Sequence, residues 1–443
     1  MRILRGTALK TTGSAIALVS AGVAMTTATQ AGGFAIREQS AYYQGMSFAG
    51  AGTGDTLSSM YWNSAAAAAA PGMNSEPHVS LIVPDTEITA TDGVLTGGGC
   101  AFGNCESGSL ADGALVPASY ANYQLSDQLY LGIAMNSGFG LITKPDNTSW
   151  AGSAIAITSD VFSINANPTI AYRVTPDFAV GVGVQIEYIN VGLTNGAAPA
   201  PVAIALGKTG PRTAELDDIG IGATAGATWT PSAGTTIGVG YRSSIDFDLE
   251  GSYSGDPFGP TGAYTGGANA ELTLPDMVTI GLRQQLTDRL TALAGYEWTN
   301  WSVLEVAELY RASDGGLQES LPFHYKNGHF VSLGLEYAHG PDTMLRTGIA
   351  WEKSPITDEE RNVLLPDTDR IWLSVGATHQ LSENITIDVG YTHIFVDDAP
   401  ISLSAPGGAP LLLEADADSA VDILAASFRY KWGGGEPDLE PFK

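Results

Sequence analysis

The chain has 443 residues, enough for two or three ordinary soluble domains, yet only 15% are charged against 44% hydrophobic. A net charge of −27 argues against a nucleic-acid partner, because phosphate recognition needs clustered Lys and Arg. Few charges beside much apolar surface suit a barrel that faces lipid outside and polar groups inside better than a soluble acidic protein.

Residues 1–31 read as a signal peptide. Arg2, Arg5 and Lys10 form a basic start, Gly13 to Met25 is a short apolar run, and Thr29-Gln30-Ala31 carries small residues at the two positions a signal peptidase reads. Without it the charge falls to about −30. The apolar run is too short to span a bilayer as a helix, and no later run reaches about 18 apolar residues.

Residues 32–75 differ from everything after them. They are rich in Gly, Ala and Ser and hold Phe34, Tyr42, Tyr43, Phe48, Tyr61 and Trp62. The run Ala65 to Ala70 favours helix, and Pro71-Gly72 stops it. The expectation is a set of short helical turns, too aromatic for a disordered arm, that plugs a barrel lumen.

From residue 76 the chain becomes strand pairs. Strands are joined by tight turns near 126–127, 175–177, 231–234, 287–288, 339–342 and 382–384, each carrying turn-forming Asp, Asn, Gly or Pro. Between these lie long loops at about 91–111, 141–158, 192–213, 254–268, 304–325, 355–367 and 398–417. Short turns at one end and long loops at the other are the signature of an outer-membrane barrel, here of about fourteen strands over 76–432. Alternation supports it: Ile385, Ile387, Val389 and Tyr391 share one face, and Thr386, Asp388, Gly390 and Thr392 the other. The predicted fold is therefore an all-β, transmembrane antiparallel β-barrel with a small N-terminal helical hatch in its lumen. The acidic segment 433–443 is expected to hang free in the periplasm.

Cys100 and Cys105 stand in a Gly-rich loop. Export favours a disulfide, and two thiols without a nearby His are too few for zinc. No metal or cofactor is expected, and the chain does not read as an enzyme. Its six histidines are scattered, and no Gly-x-Ser-x-Gly turn is present. Trp298 and Trp301 read either as one girdle and one lumen residue or as two surface anchors. Inward-facing arginines (Arg173, Arg242, Arg283, Arg346, Arg370 and Arg429) need acidic partners or a ligand anion.

Several stretches resemble the FadL family of outer-membrane transporters of hydrophobic compounds, which includes the aromatic-hydrocarbon porins. They are Gly32 to Ser40, Tyr61 to Ala65, Asn136 to Leu141 with Trp150-Ala151-Gly152, Glu297 to Ser302, Leu345 to Gly348, Leu365 to Arg370 and Gly390-Tyr391. The ordered set, covering nearly the whole mature chain, carries the resemblance. It implies a monomeric barrel in the outer membrane of a Gram-negative bacterium, among outer-membrane lipid and lipopolysaccharide. It further implies passive diffusion of hydrophobic molecules, foremost long-chain fatty acids, with aromatic or other hydrocarbons as the alternative and a water-filled porin as the rival class. By the same resemblance Gly33, Phe34 and Asn63 belong to the hatch and inner pocket. Gly132, Ser137, Gly138, Phe139 and Gly140 belong to a kinked third strand with a lateral opening, and Arg346 and Arg370 are candidate carboxylate partners. Ser64 replaces the family's proline, which points to a looser hatch turn.

Overall fold

The structure is a computed structural model that describes residues 32–97, 100, 104–196, 210–255, 264–404 and 411–432. The expected signal peptide (1–31) and acidic tail (433–443) lie outside the described residues.

Fourteen antiparallel strands close on themselves. They are β1 (Met73–Asp92), β2 (Ala114–Gln124), β3 (Leu129–Asn136, resuming at Gly140–Thr143), β4 (Thr158–Thr175), β5 (Phe178–Asn195), β6 (Arg212–Ser232) and β7 (Thr235–Arg242 with Ile245–Gly255). They continue as β8 (Tyr264–Leu274 with Met277–Gln285), β9 (Leu290–Thr299), β10 (Gly328–Ala338), β11 (Thr343–Lys353), β12 (Arg370–Ser382), β13 (Ile385–Val396 with Ala399–Ser404) and β14 (Leu411–Trp432). Each strand pairs with the next in sequence. β1 also pairs with β14, from Met73–Trp432 to Asp92–Glu414, which leaves no free sheet edge. The hairpin Val306–Arg311 and Leu317–Pro322 extends the wall beyond β9 and β10 on the long-loop side.

Alternation decides which face meets lipid. On β10, Val331, Leu333, Leu335 and Tyr337 point out and are exposed, while Phe330, Ser332 and Glu336 point in and are buried. Exposed apolar side chains recur around the wall (Val79, Leu81, Ile219, Ile221, Val375), so this outer face needs an apolar solvent. Aromatics edge the band: Tyr123, Tyr172, Trp229, Tyr337 and Trp432 at the short-turn end, and Tyr296, Trp351 and Phe395 at the other. No described helix is long and apolar enough to cross a membrane. Several strands outrun the roughly 9–11 residues a bilayer requires. β1, β6 and β14 have 20, 21 and 22 residues. Their surplus carries Asp85, Glu87, Asp217 and Asp418 toward the loops, where part of the chain's negative charge resides.

Residues 32–72 fold inside. They form one helical turn, α1 (Ala41–Gln44), and three 3-10 turns at Ala51–Thr53, Leu57–Tyr61 and Ser64–Ala68. The alanine run thus makes a 3-10 turn rather than an α-helix. Wall and segment fit because glycines stand where the segment's backbone touches the wall. A Cβ at Gly240 would overlap the Trp62 carbonyl, and one at Gly348 would overlap the Met46 backbone. Tyr43, Phe48, Tyr61 and Trp62 pack edge to face or tilted beside Trp372, a core that only a filled lumen supplies.

Candidate ligand-binding site

At the loop end of the lumen lies an apolar cavity of about 330 Å³, lined by Phe34, Leu141 and Val161, by Leu193, Leu216 and Leu249, and by Tyr253, Tyr325, Leu365 and Leu412. Phe34 comes from the N-terminal segment. Its ring packs against Trp301 at 4.8 Å and Phe139 at 6.1 Å, and Trp301 also meets Tyr325 at 6.2 Å. Gly33 enables this approach. Its φ of +67° suits glycine, and a Cβ there would strike the Trp301 ring at 2.8 Å. Its N–H donates to Asp367 Oδ2 at 2.9 Å, and that of Gly32 to Glu352 Oε1 at 3.1 Å.

Among the polar groups in the cavity wall is Arg212. Its guanidinium donates to Glu319 on the loop hairpin at 2.9 Å and to Asn195 Oδ1 at 3.1 Å. Sequence reasoning missed it because residues 192–213 read as loop. The available signal was the alternation Arg212, Ala214, Leu216 against Thr213, Glu215, Asp217, which continues β6 above the membrane.

The strand break follows from local bonding. β2 and β3 pair only from Gln124–Tyr130 to Ser119–Met135. Beyond Asn136, residues 137–139 leave the wall, so 114–118 of β2 have no ladder partner on that side. The departing backbone is taken up by the N-terminal segment. The Ile36 N–H donates to Gly138 O at 2.8 Å, and the Gly140 N–H donates to Phe34 O at 2.9 Å. Gln39 Nε2 reaches the Ser137 carbonyl at 2.6 Å, Ser137 Oγ reaches that of Ser163 at 2.7 Å, and Ser163 Oγ accepts from the Phe139 N–H at 3.2 Å. The backbone of 137–140 is thereby held by the segment and by β4. Gly132 lies lower, where it makes room for Met60 and Ala67.

Asn63 stands away from the cavity, deep against the wall. Its Nδ2 contacts Gly52 O (2.8 Å), Ala227 O (3.0 Å) and Thr228 Oγ1 (3.2 Å), while Oδ1 caps the 3-10 turn through the Ala65 N–H (3.0 Å). Ser64 is tied to the wall, its hydroxyl donating to Thr224 Oγ1 at 2.7 Å. Arg346 and Arg370 do not line the cavity. Arg346 pairs with Asp388 at 3.3 Å and stacks on Tyr42; Arg370 pairs with Asp367 and approaches Glu352 at 3.7 Å. Arg283 and Arg429 are also matched by acids, while Arg173 and Arg242 hold the Ala68 and Tyr61 carbonyls. Trp301 turns inward on a 3-10 turn past the end of β9, and Trp298 stays half-buried on the outer face. Cys100 and Cys105 are joined as a disulfide, and the described residues contain no group of three His, Cys, Asp or Glu arranged for a metal.

A closed barrel with an apolar outer band, a filled lumen and an apolar cavity belongs to the class of outer-membrane channels for hydrophobic solutes. The chain is a member of the family described as outer membrane protein transport protein (OMPP1/FadL/TodX), which it matches over residues 22–432. It is 27% identical to outer membrane protein P1 of Haemophilus influenzae over 341 residues, 72% of each chain. It is 27% identical to the long-chain fatty acid transport protein of Salmonella typhi over 331 residues, 68% of this chain and 75% of that one. In fold it is similar to a Pseudomonas aeruginosa FadL homologue (TM-score 0.80, 22% identity, 91% of this chain and 100% of that one). It is also similar in fold to the Pseudomonas putida toluene transporter TodX (TM-score 0.65, 16% identity, 90% and 99%). The protein is thus an outer-membrane β-barrel transporter of hydrophobic compounds, and not an enzyme.

Proposed function

We propose that this chain carries long-chain fatty acids passively across the outer membrane as a monomer. The apolar cavity captures the ligand on the loop side, and the N-terminal segment acts as a hatch whose movement releases it sideways between β2 and β3. The observation that carries this reading is the bonding of Phe34–Ile36 to 138–140. The segment that contributes Phe34 to the cavity also fills the break in the wall, so displacing it alters capture and opening together. An apolar chain gains about 25 cal/mol for each Å² it removes from water, so an apolar cavity takes up what a water-filled pore would not.

Two features support the fatty-acid reading: similarity to a long-chain fatty acid transport protein, and a polar patch of Arg212, Asn195 and Glu319 in the cavity wall that a pure hydrocarbon site would not need. The edge-to-face cluster of Phe34, Phe139 and Trp301 favours aromatic hydrocarbons as a second cargo. Uptake of labelled oleate and labelled toluene by cells with and without the protein tests this. Protein-dependent oleate uptake is expected. Uptake of toluene alone would move the cargo to hydrocarbons, and uptake of neither would end the proposal.

A further inference from the structure

At the height of the break in β3, the lumen wall carries a row of buried polar residues that the capture cavity does not use. Asn136 is the last residue of β3 before the interruption. It pairs with Asn165 on β4, which pairs with Glu187 on β5. On the other side the row crosses Ala118 of β2, one step beyond the last β2–β3 pair, to His78 of β1. His78, Asn136, Asn165 and Glu187 are 5%, 2%, 0% and 1% exposed. The N-terminal segment meets the row through Glu38, whose carbonyl is bonded to His78 Nε2 at 2.8 Å, and through Gln39, which holds the Ser137 carbonyl.

The hydrogen-bonding capacity of this row is largely unspent. Both amide atoms of Asn136, Asn165 Oδ1, Glu187 Oε1, His78 Nδ1, Gln39 Oε1 and Glu38 Oε2 have no partner among the described residues. Buried donors and acceptors are rarely left so, because each loses its water without return. Here several lie on adjacent strands in one register, beside the place where β2 loses its neighbour. Asn136 Nδ2 can donate, and Asn165 Oδ1 and Glu187 Oε1 can accept. Glu187 also lines a small cavity of mixed polar and apolar walls with Arg242 and Phe139.

We propose that this row is a transit site for the hydrogen-bonding head of an amphiphile, a carboxyl or hydroxyl group on an apolar chain, as that chain leaves between β2 and β3. A head that both donates and accepts matches the unspent groups. Glu187 and Glu38 would oppose an ionised carboxylate, but Arg242 lines the same small cavity as Glu187 and Arg37 adjoins Glu38, so the row selects a head that both donates and accepts hydrogen bonds and not its charge. A hydrocarbon offers the row nothing, so the site favours amphiphiles over hydrocarbons at release rather than at capture. This rests on the lateral route proposed above.

Asn136→Leu and Asn165→Ala test it, with heat-modifiable gel mobility verifying that each barrel folds; Asn165→Ala adds no bulk and serves if Asn136→Leu does not assemble. The probes are oleate, oleyl alcohol and toluene for uptake by cells, and oleate for equilibrium binding to purified protein. The expected result is a several-fold fall in oleate and oleyl alcohol uptake, with oleate binding and toluene uptake unchanged. Equal falls for all probes would make the row a structural element and overturn the proposal, as would unchanged uptake of both amphiphiles. Either result would leave the channel function intact, whereas a wild-type protein that carried none of the probes would instead remove the reading beneath it.

Discussion

Single side chains hold the N-terminal segment in its lumen. Asn63 is the clearest, because one amide joins the segment to β6 and caps the next turn. Asn63→Ala removes three acceptors' donor and leaves the Ala65 N–H without its cap, so a loss of about 1–3 kcal/mol is expected in urea unfolding of the micellar protein. Glu38 sets a pH dependence. Burial, its largest influence, pushes its carboxyl up to about 7 from the ordinary 4.5, against a backbone hydrogen bond and Arg37 that pull it down; Glu352 raises it and Arg370 lowers it. The folded state therefore keeps this proton to a higher pH than the unfolded state does. The stability that proton brings is complete below about 4.5 and is lost as pH rises through about 7. Thermal midpoints of the native protein should accordingly fall more between pH 5 and 8 than those of Glu38→Gln; parallel curves would contradict the assignment. Neither role was legible in the sequence. The resemblance named Asn63 for the hatch and inner pocket, but its partners Ala227 and Thr228 lie more than 160 positions away, and the burial of Glu38 exists only once the barrel closes around it.

Elements were far more legible. The six tight turns and seven long loops mark the fourteen strands because barrel hairpins sort turn chemistry by side. What escaped was the upper third of the wall. Segments such as 192–195 and 212–213 look like loop, yet they continue β5 and β6 above the membrane and carry Asn195 and Arg212 to the cavity. There the outward face is polar rather than lipid-facing, so alternation no longer contrasts apolar with polar in the usual sense. The break in β3 was anticipated from resemblance at Ser137 to Gly140. Its physical basis is tertiary: where 138–140 leave β2, their backbone bonds instead to Phe34 and Ile36, a hundred positions upstream. The arginines named as carboxylate partners, Arg346 and Arg370, illustrate the same limit. Alternation placed them inward, but only the closed barrel brings Asp388 and Asp367 to them.

At the scale of the molecule, two structures occupy one space. A wall that faces lipid encloses a segment that could not hold its shape alone, since its turns are of three to five residues and its aromatics bury themselves only against the lumen. Such a segment holds its shape only as a guest, and the release proposed through the wall requires it to be re-seated there. Re-seating of the segment is the step on which the proposed transport depends. Ala35 and Phe139 face each other across the bonds that fill the break, in the close, non-hydrogen-bonded pairing of an antiparallel ladder that suits a cross-link. Oleate uptake by the Ala35→Cys/Phe139→Cys protein, compared in oxidised and reduced states, is the measurement to make. The oxidised form should still bind oleate but not transport it, and reduction should restore uptake; equal transport by the oxidised and reduced forms would rule out re-seating as the release step.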